Sequence, residues 1–232
     1  MKTIELLQRI QSLYSKGVNS DDSRLMNRHI YNKLLTVRAR LISQEAKKKQ
    51  KISQWNYQKI PCIELIEVPS HDCPCIPPIG CSILRSKHRL PSPLSGLSGN
   101  LIQSVTTINR QLKLDEININ AVRSQKGNKY TAKKTNFFIE DKYLYISTPT
   151  KMEIVSMVAL FEDPLEVNKF SGYCDCQECT QCSDFEQEEF PIDNDLIDVL
   201  IELSVNELIQ IFNSNFEDTT NNGRDNLKEQ SK

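Results

Sequence analysis

The stretch DNDLIDVLIELSVNELIQIF, residues 193–212, decides the fold. Apolar residues recur at helical spacing around much of its circumference, which predicts a helix buried at the centre of a helical core. Asp193 or Asn194 is placed to cap the first turn. Helices that pack against this one must come from elsewhere in the chain, and the N-terminal end supplies them.

Two helices are predicted in the N-terminal segment. Residues 3–15 carry apolar side chains at helical spacing, and Lys16-Gly17 is a stop signal. Ser20 is expected to cap a second helix, which no Gly or Pro interrupts as far as residue 53. At 1.5 Å per residue, this helix would be about 45–50 Å long. Its last third is polar and basic, which fits either a solvated helix end or a helix that reaches a neighbouring molecule.

The middle of the chain predicts strands. The clearest signal is a hairpin over Asn136–Ile146, where aromatic and β-branched residues flank a Glu-Asp-Lys turn. Residues 69–99 hold six of the ten prolines, so this part should be irregular. Because no helical pattern separates the strands, a parallel α/β sheet is not expected. The other predicted strands are Cys62–Val68, Leu101–Ile108, Ile117–Val122 and Met152–Leu160.

The order of these elements predicts an α+β fold, with helices at both ends and a β-rich, loop-rich segment inserted between them. The polar C-terminal tail is expected either to be disordered or to become ordered on a partner. The expected division is residues 1–54 and 193–216 for the helical core, 55–170 for the β-rich insertion, 171–192 for an acidic Cys-rich loop and 217–232 for the tail.

The formal net charge of −1 conceals a strong asymmetry. Residues 170–218 contain thirteen acidic residues and no Lys or Arg, so the rest of the chain carries +12. The basic excess is greatest from Arg38 to Lys51, where Glu45 is the one acidic residue. The acidic segment and the basic segment can attract each other within one chain or between copies, or they can form two solvated faces.

The overall composition excludes several classes of protein. A balanced total charge argues against a bulk nucleic-acid binder. The mean hydropathy of −0.46 and the lack of a long apolar run argue against a membrane span. Charges within the first ten residues are not typical of a signal peptide, so we expect a non-secretory protein.

Seven of the eight cysteines fall in two short clusters. Without a secretory signal, a disulfide framework is not expected. Clustered thiolates can hold structural zinc, although the spacing is not the common pair of Cys-x2-Cys knuckles. Structural zinc and reduced cysteines without metal therefore both remain open, and no other cofactor is expected. The candidate ligands are Cys73, Cys75, Cys81, Cys174, Cys176, Cys179 and Cys182.

Catalytic signals are weak, and we expect no enzymatic activity. The chain lacks the nucleophile-elbow, Walker A, dinucleotide-binding and zincin motifs. His71-Asp72-Cys73 contains the residue types of a thiol hydrolase, but the partners of such a dyad rarely adjoin in sequence. Lys47–Lys51 would neutralise about four to six phosphates at most. The alternatives are a thiol enzyme using Cys73 and a zinc-stabilised module that binds nucleic acid or other proteins.

Four stretches together resemble the structural ring proteins of crAss-like phages, which are similar to the head-to-tail adaptor, gatekeeper or tail-completion proteins of short-tailed phages. Their order and the helix–β–helix plan carry the resemblance more than any single motif. The stretches are residues 20–25 with 29–38; 54–57 before Pro61-Cys62; 127–130 with the 137–146 hairpin and 160–164; and 190–193 with 219–225.

The resemblance implies a structural virion protein that forms a homo-oligomeric ring of about twelve copies. The ring would dock beneath the portal, join it to the tail and form part of the DNA exit channel. The implied partners are other copies, the portal protein, other tail ring or tail hub proteins, and genomic DNA that passes through the channel without sequence specificity, with no membrane. The implied location is the tail or neck of the virion, after assembly in the host cytoplasm. As a hypothesis, residues 20–53 and 194–216 form the contact between subunits, with Leu200 and Leu208 on its buried stripe.

Overall fold

A computed structural model describes residues 1–17, 25–48, 52–69, 82–96, 99–148, 151–168, 170 and 187–212. Helices lie at both ends of this part of the chain and strands lie between them, which confirms the predicted α+β class. The helices are α1 Thr3–Tyr14, α2 Asn27–Lys47, α3 Ile119–Gly127, α4 Pro164–Asn168 and α5 Asn194–Phe212, with a 3-10 turn at Gln54–Asn56. The strands are β1 Gln58–Pro69, β2 Ser82–Ser86, β3 Ser95–Gly96, β4 Gly99–Asn100, β5 Ile102–Thr107, β6 Lys113–Glu116, β7 Asn136–Glu140, β8 Tyr143–Ser147 and β9 Ile154–Ala159.

Helices α1, α2 and α5 pack into one bundle around an apolar core. The predicted positions of α1 and α5 agree with the structure. Leu200 and Leu208 are buried inside this bundle, so the expectation that they line a contact between subunits is wrong. Other core residues are Leu6, Leu7, Ile10, Ile30, Leu34, Val37 and Ile201.

Helix α2 is shorter than the sequence suggests. Its N-cap is Met26, so Ser20 does not cap it, and Ser20 itself lies outside the described residues. The helix ends at Lys47, and its 21 residues span about 31 Å rather than 45–50 Å. Met26 is extended, so a helix that starts at Ser20 does not continue into α2, and the predicted start is wrong.

Seven strands of the described residues close into a barrel in the order β1-β2-β8-β7-β6-β5-β9, with β9 back against β1. Most neighbours pair antiparallel, but β6 and β7 pair in parallel. Helix α3 connects these two strands, as a parallel pair requires a crossover. The expectation that no helix separates the strands is therefore wrong at this one connection. Apolar side chains from every barrel strand fill the interior, including Ile60, Val105, Leu114, Phe137, Leu144 and Met157.

The segment that was expected to be a strand over Ile117–Val122 contains the start of α3. Asn118 explains the difference, because its side-chain Oδ1 accepts a hydrogen bond of 3.0 Å from the Asn120 amide and initiates the helix. Val122 is then fully buried against Phe138 and Tyr145 on the outer surface of the barrel. The β-branched residues that suggested a strand serve instead as the buried side of a short helix.

The predicted hairpin is present as β7 and β8. Asp141 and Lys142 form its turn, and both have positive φ, 49° and 65°. Two-residue hairpin turns of this kind match the twist of the flanking strands. The carbonyl oxygen of Lys142 also accepts a 2.7 Å hydrogen bond from the Leu90 amide, which holds the chain after β2 against the turn.

Candidate functional site

The junction between the helical bundle and the barrel is built around one buried arginine. Arg38 of α2 is fully buried, and its guanidinium donates hydrogen bonds to three backbone carbonyl oxygens. The acceptors are Pro191 at 2.9 Å, Phe161 at 2.9 Å and Asn56 at 3.2 Å. These residues belong to the segment before α5, the segment after β9 and the 3-10 turn before β1. One side chain thus joins the bundle to both ends of the barrel segment.

The charge of Arg38 has electrostatic support nearby. Burial lowers the pKa of the guanidinium to about 10, while Tyr31 and Asp163 act in the opposite direction, so Arg38 stays charged at neutral pH. The Cζ atom also lies 5.9 Å from the centre of the Phe190 ring. A buried cation is costly unless its donors are satisfied, and here the fork geometry of arginine satisfies three carbonyls at once.

Tyr31 and Asp163 form a second link across the same junction. The Tyr31 hydroxyl donates a 2.8 Å hydrogen bond to Oδ1 of Asp163, which also accepts the Leu165 amide at 2.9 Å. Burial, together with Asp163, raises the pKa of Tyr31 well above its ordinary value. Asp163 therefore caps the short helix α4 and fixes it to α2 with the same carboxylate.

Asn56 connects the 3-10 turn to the start of α5. It is fully buried, and its Oδ1 accepts a 2.7 Å hydrogen bond from the Asp193 amide. Burial raises the pKa of Glu45 of α2, and the negative charge of nearby Asp193 raises it further. Asn56 and Arg38 therefore hold the first turn of α5 in a fixed position beside the end of α2.

Apolar contacts complete the junction. Ile42 of α2 packs with Leu94 and Leu160 of the β-rich segment, and all three are buried. The N-terminus is also tied down, because the Thr3 amide donates a 2.8 Å hydrogen bond to the Glu188 carbonyl. The bundle and the β-rich segment are thus connected by polar bonds and by a small apolar cluster.

Exposed charges on the bundle are separated by sign. Helix α2 contains five Lys or Arg residues and one carboxylate, whereas α5 contains four carboxylates and no Lys or Arg. Glu207 of α5 binds both Lys33 and Arg40 of α2, and these cations lower its pKa. The charge asymmetry predicted from the sequence is therefore carried, in the described residues, by two neighbouring helices.

Two apolar features lie on the surface. Trp55 is 76% exposed beside a cleft of about 680 Å³, which Tyr57, Gln58 and Phe190 also line. At the far end of the bundle, the Phe212 ring lies 5.8 Å from His29 and 6.5 Å from Tyr14. Exposed aromatic side chains beside a cleft or helix end are typical of protein contact surfaces.

The predicted metal ligands cannot be placed. All seven clustered cysteines, and with them His71, lie outside the described residues. Cys62 is the one described cysteine, and it is disulfide-bonded, so at least one bridge is present although a disulfide framework was not expected. Within the described part of the chain, no group of three or more His, Cys, Asp or Glu residues could hold a metal ion. Of the basic run, Lys47 and Lys48 are described and exposed.

Sequence reasoning missed the polar core of the junction. Arg38 was noted as part of a basic stretch, while Tyr31, Asn56 and Asp163 were not singled out as polar groups of the core. One available signal was that Arg38 falls on the buried side of the predicted α2 stripe, one residue after Val37.

Within the described ranges, no helix has the length and apolar character that a membrane span requires.

Comparison with known proteins identifies the family. A family model described as phage tail ring protein 2 matches residues 5–227. Ring protein 2 of Bacteroides phage crAss001 is 31% identical over 207 residues, which cover 82% of this chain and 84% of that protein. The matched region includes the bundle, the junction and the barrel, and it confirms the resemblance to ring proteins of crAss-like phages. The chain therefore belongs to the family of phage tail ring protein 2 and is a structural component of a phage virion.

Proposed function

We propose that the chain forms a ring of about twelve copies that acts as an adaptor between the portal of the capsid and the tail. The ring encloses part of the channel through which the genomic DNA leaves, and it contacts that DNA without reading its sequence. Its partners are other copies, the portal protein and a further tail ring or hub protein. It resides in the tail or neck after assembly in the host cytoplasm, and its role is structural rather than catalytic.

Family membership supports this proposal, and the Arg38 junction is the observation that carries it. A closed ring fixes the angle between neighbouring subunits, so each subunit must keep one shape. Hydrogen bonds from Arg38 to Phe161, Pro191 and Asn56 hold the bundle and the barrel in one relative orientation. A subunit built in this way suits a part that holds two larger assemblies in line.

The proposal is tested by light scattering on the purified chain, first alone and then mixed with particles that carry the portal. Twelve copies of 26.7 kDa would give about 320 kDa. We expect either that mass in solution or recruitment of about twelve copies to each portal. Particles without a portal serve as the control and should bind none. A chain that stays monomeric and ignores portal-bearing particles would refute the proposal.

A further inference from the structure

Pairing within the subunit uses only part of the opposite charge on α2 and α5. Glu207 forms ion pairs with Lys33 and Arg40, and Asp198 forms an ion pair with Arg9 of α1 at 3.0 Å. Lys47 on α2 and Asp195 and Glu202 on α5 are exposed and have no ion-pair partner among the described residues. The two helices therefore present unpaired charge of opposite sign to the outside.

The basic face of α2 consists of Thr36, Arg40, Gln44, Lys47 and Lys48, all of them exposed. It contains three cations and no carboxylate. Arg40 keeps 44% of its side-chain surface accessible although it binds Glu207, so its guanidinium can take a second acceptor. On the helix this face flanks the buried stripe of Ile30, Leu34, Val37 and Leu41, since Arg40 follows Val37 by three residues.

The acidic face of α5 consists of Asp195, Val199, Glu202 and Asn206, again all exposed. Val199 is 42% exposed and lies between the two carboxylates. An apolar side chain between charges of one sign is a common arrangement in a protein contact, since its burial adds to the electrostatic attraction. The seven-residue interval from Asp195 to Glu202 equals that from Arg40 to Lys47, and each spans about 10.5 Å along its helix.

The heights of the two faces along the bundle also agree. Helices α2 and α5 run antiparallel. His29 near the start of α2 lies beside Phe212 at the end of α5, and Glu45 near the end of α2 lies close to Asp193, just before α5. With Glu45 level with Asp193, Lys47 lies within about one helical turn of the height of Asp195, and Arg40 within about one turn of the height of Glu202. Rotation about a ring axis parallel to the bundle keeps every residue at its own height, so the faces of adjacent copies would meet in register.

We propose that the basic face of α2 in one copy binds the acidic face of α5 in the next copy around the ring. Such a contact is heterologous, since it joins two different surfaces, and a heterologous contact that closes generates a ring. This inference rests on the proposed function and names the surfaces through which that assembly forms. The occupant of each face is thus a second copy of this chain.

Charge reversal tests the contact. A basic-face variant carries Lys47→Glu and Lys48→Glu, and an acidic-face variant carries Asp195→Lys and Glu202→Lys. A matched control carries Lys113→Glu and Lys129→Glu, two exposed positions in the β-rich segment. Assembly is followed by sedimentation of the full chain over a range of protein and salt concentrations, in solution and on portal-bearing particles. Thermal unfolding establishes that each variant is folded.

Each reversed variant alone should assemble at least tenfold more weakly than the wild type, and the control should behave as the wild type does. An equal mixture of the two variants should assemble again, because each reversed face then meets a complementary one. A chain with all four substitutions should also assemble. Rising salt should weaken the wild-type assembly, since exposed charges are screened.

Three outcomes would overturn the inference. If reversed variants assemble like the wild type, other surfaces form the ring and the proposed function stands. If both fail and neither the mixture nor the four-substitution chain recovers, the two faces do not bind each other. If reversed variants form rings but no longer bind portal-bearing particles, these faces bind another protein and not a second copy. A wild type that assembles under no condition would instead refute the proposed function itself.

Discussion

The guanidinium Nη1 of Arg38 donates a 2.9 Å hydrogen bond to the carbonyl oxygen of Phe161, and both residues are fully buried. Phe161 follows the last barrel strand, and Arg38 lies in the middle of the longest helix. The two meet at the point where the polypeptide leaves the barrel. Their contact holds the two parts of the subunit together, and in the proposed ring the arrangement of neighbouring subunits would depend on this orientation.

Replacing Arg38 by methionine should destabilise the protein strongly. Methionine has a similar length but cannot donate, so two buried carbonyl oxygens and one partly buried carbonyl oxygen would lose this donor. We expect a loss of about 3–5 kcal/mol in the free energy of unfolding, measured by urea denaturation. Arg40→Met is the control, because Arg40 is exposed and its ion pair contributes at most about 1 kcal/mol. Equal effects of the two substitutions would contradict the assignment of Arg38 as the centre of the junction.

Tyr31→Phe should remove the hydrogen bond to Asp163 while keeping the aromatic ring in place. Because the acceptor is the Asp163 carboxylate, the expected cost is about 1.5–3 kcal/mol at neutral pH. Tyr130→Phe is the matched control, since Tyr130 is 86% exposed and should have no effect.

The same pair gives a prediction at high pH. Burial raises the pKa of Tyr31 in the folded state, so its stabilising contribution is fully present below the unfolded pKa of about 10. Above that pH the unfolded chain gains by ionising, and the advantage of the wild type over Tyr31→Phe should decline. Unfolding curves between neutral pH and pH 11 test this, and a difference that grows with pH would contradict it.

Glu207→Gln should weaken the contact between α2 and α5 in a pH-dependent way. Lys33 and Arg40 lower the pKa of Glu207, so its contribution is present above the unfolded value of about 4.3 and is lost as the pH falls through the folded value. The variant should be less stable than the wild type by about 1 kcal/mol at pH 7, and the two should converge in acid. A difference that stays constant from pH 7 to pH 3 would show that the ion pairs contribute nothing.

Lys142→Gly should stabilise the hairpin. Lys142 has a φ of 65°, which costs a residue with a Cβ about 1 kcal/mol and costs glycine nothing. The hydrogen bond from the Leu90 amide to the Lys142 carbonyl involves only backbone atoms and is retained. Lys113→Gly, at the first position of β6 opposite Thr106, should have the opposite sign because glycine is less favourable than lysine in extended, paired backbone. The midpoints of thermal unfolding should move in opposite directions for the two variants.

Local patterns in the sequence predicted the elements whose signal is complete within a few residues. The apolar repeat of α5 and the aromatic strands around Asp141 are examples, because periodicity and turn chemistry determine such elements locally. The start of α2 was missed because Met26 adopts an extended conformation that no Gly or Pro marks, and the helix at Asn118 was missed because a local side-chain cap outweighed the strand propensity of the β-branched residues.

Closure of the barrel and the role of Arg38 lay beyond the sequence pattern for a different reason. The carbonyl acceptors at Phe161 and Pro191 are 123 and 153 residues away along the chain. Every residue has a backbone carbonyl, so no sequence motif predicts that three of them accept hydrogen bonds from one side chain. The charge asymmetry was visible in the sequence, but its division between the outer faces of α2 and α5 became clear only from the structure.

Native mass measurement on the assembled protein tests the central claim most directly, which is that this chain closes into a ring. It would be applied to the purified chain and to the assembly released from portal-bearing particles. We expect one closed species of about twelve copies, near 320 kDa, because a heterologous contact that closes admits a single size. A monomer under every condition, or an open series of sizes without a preferred copy number, would contradict the claim.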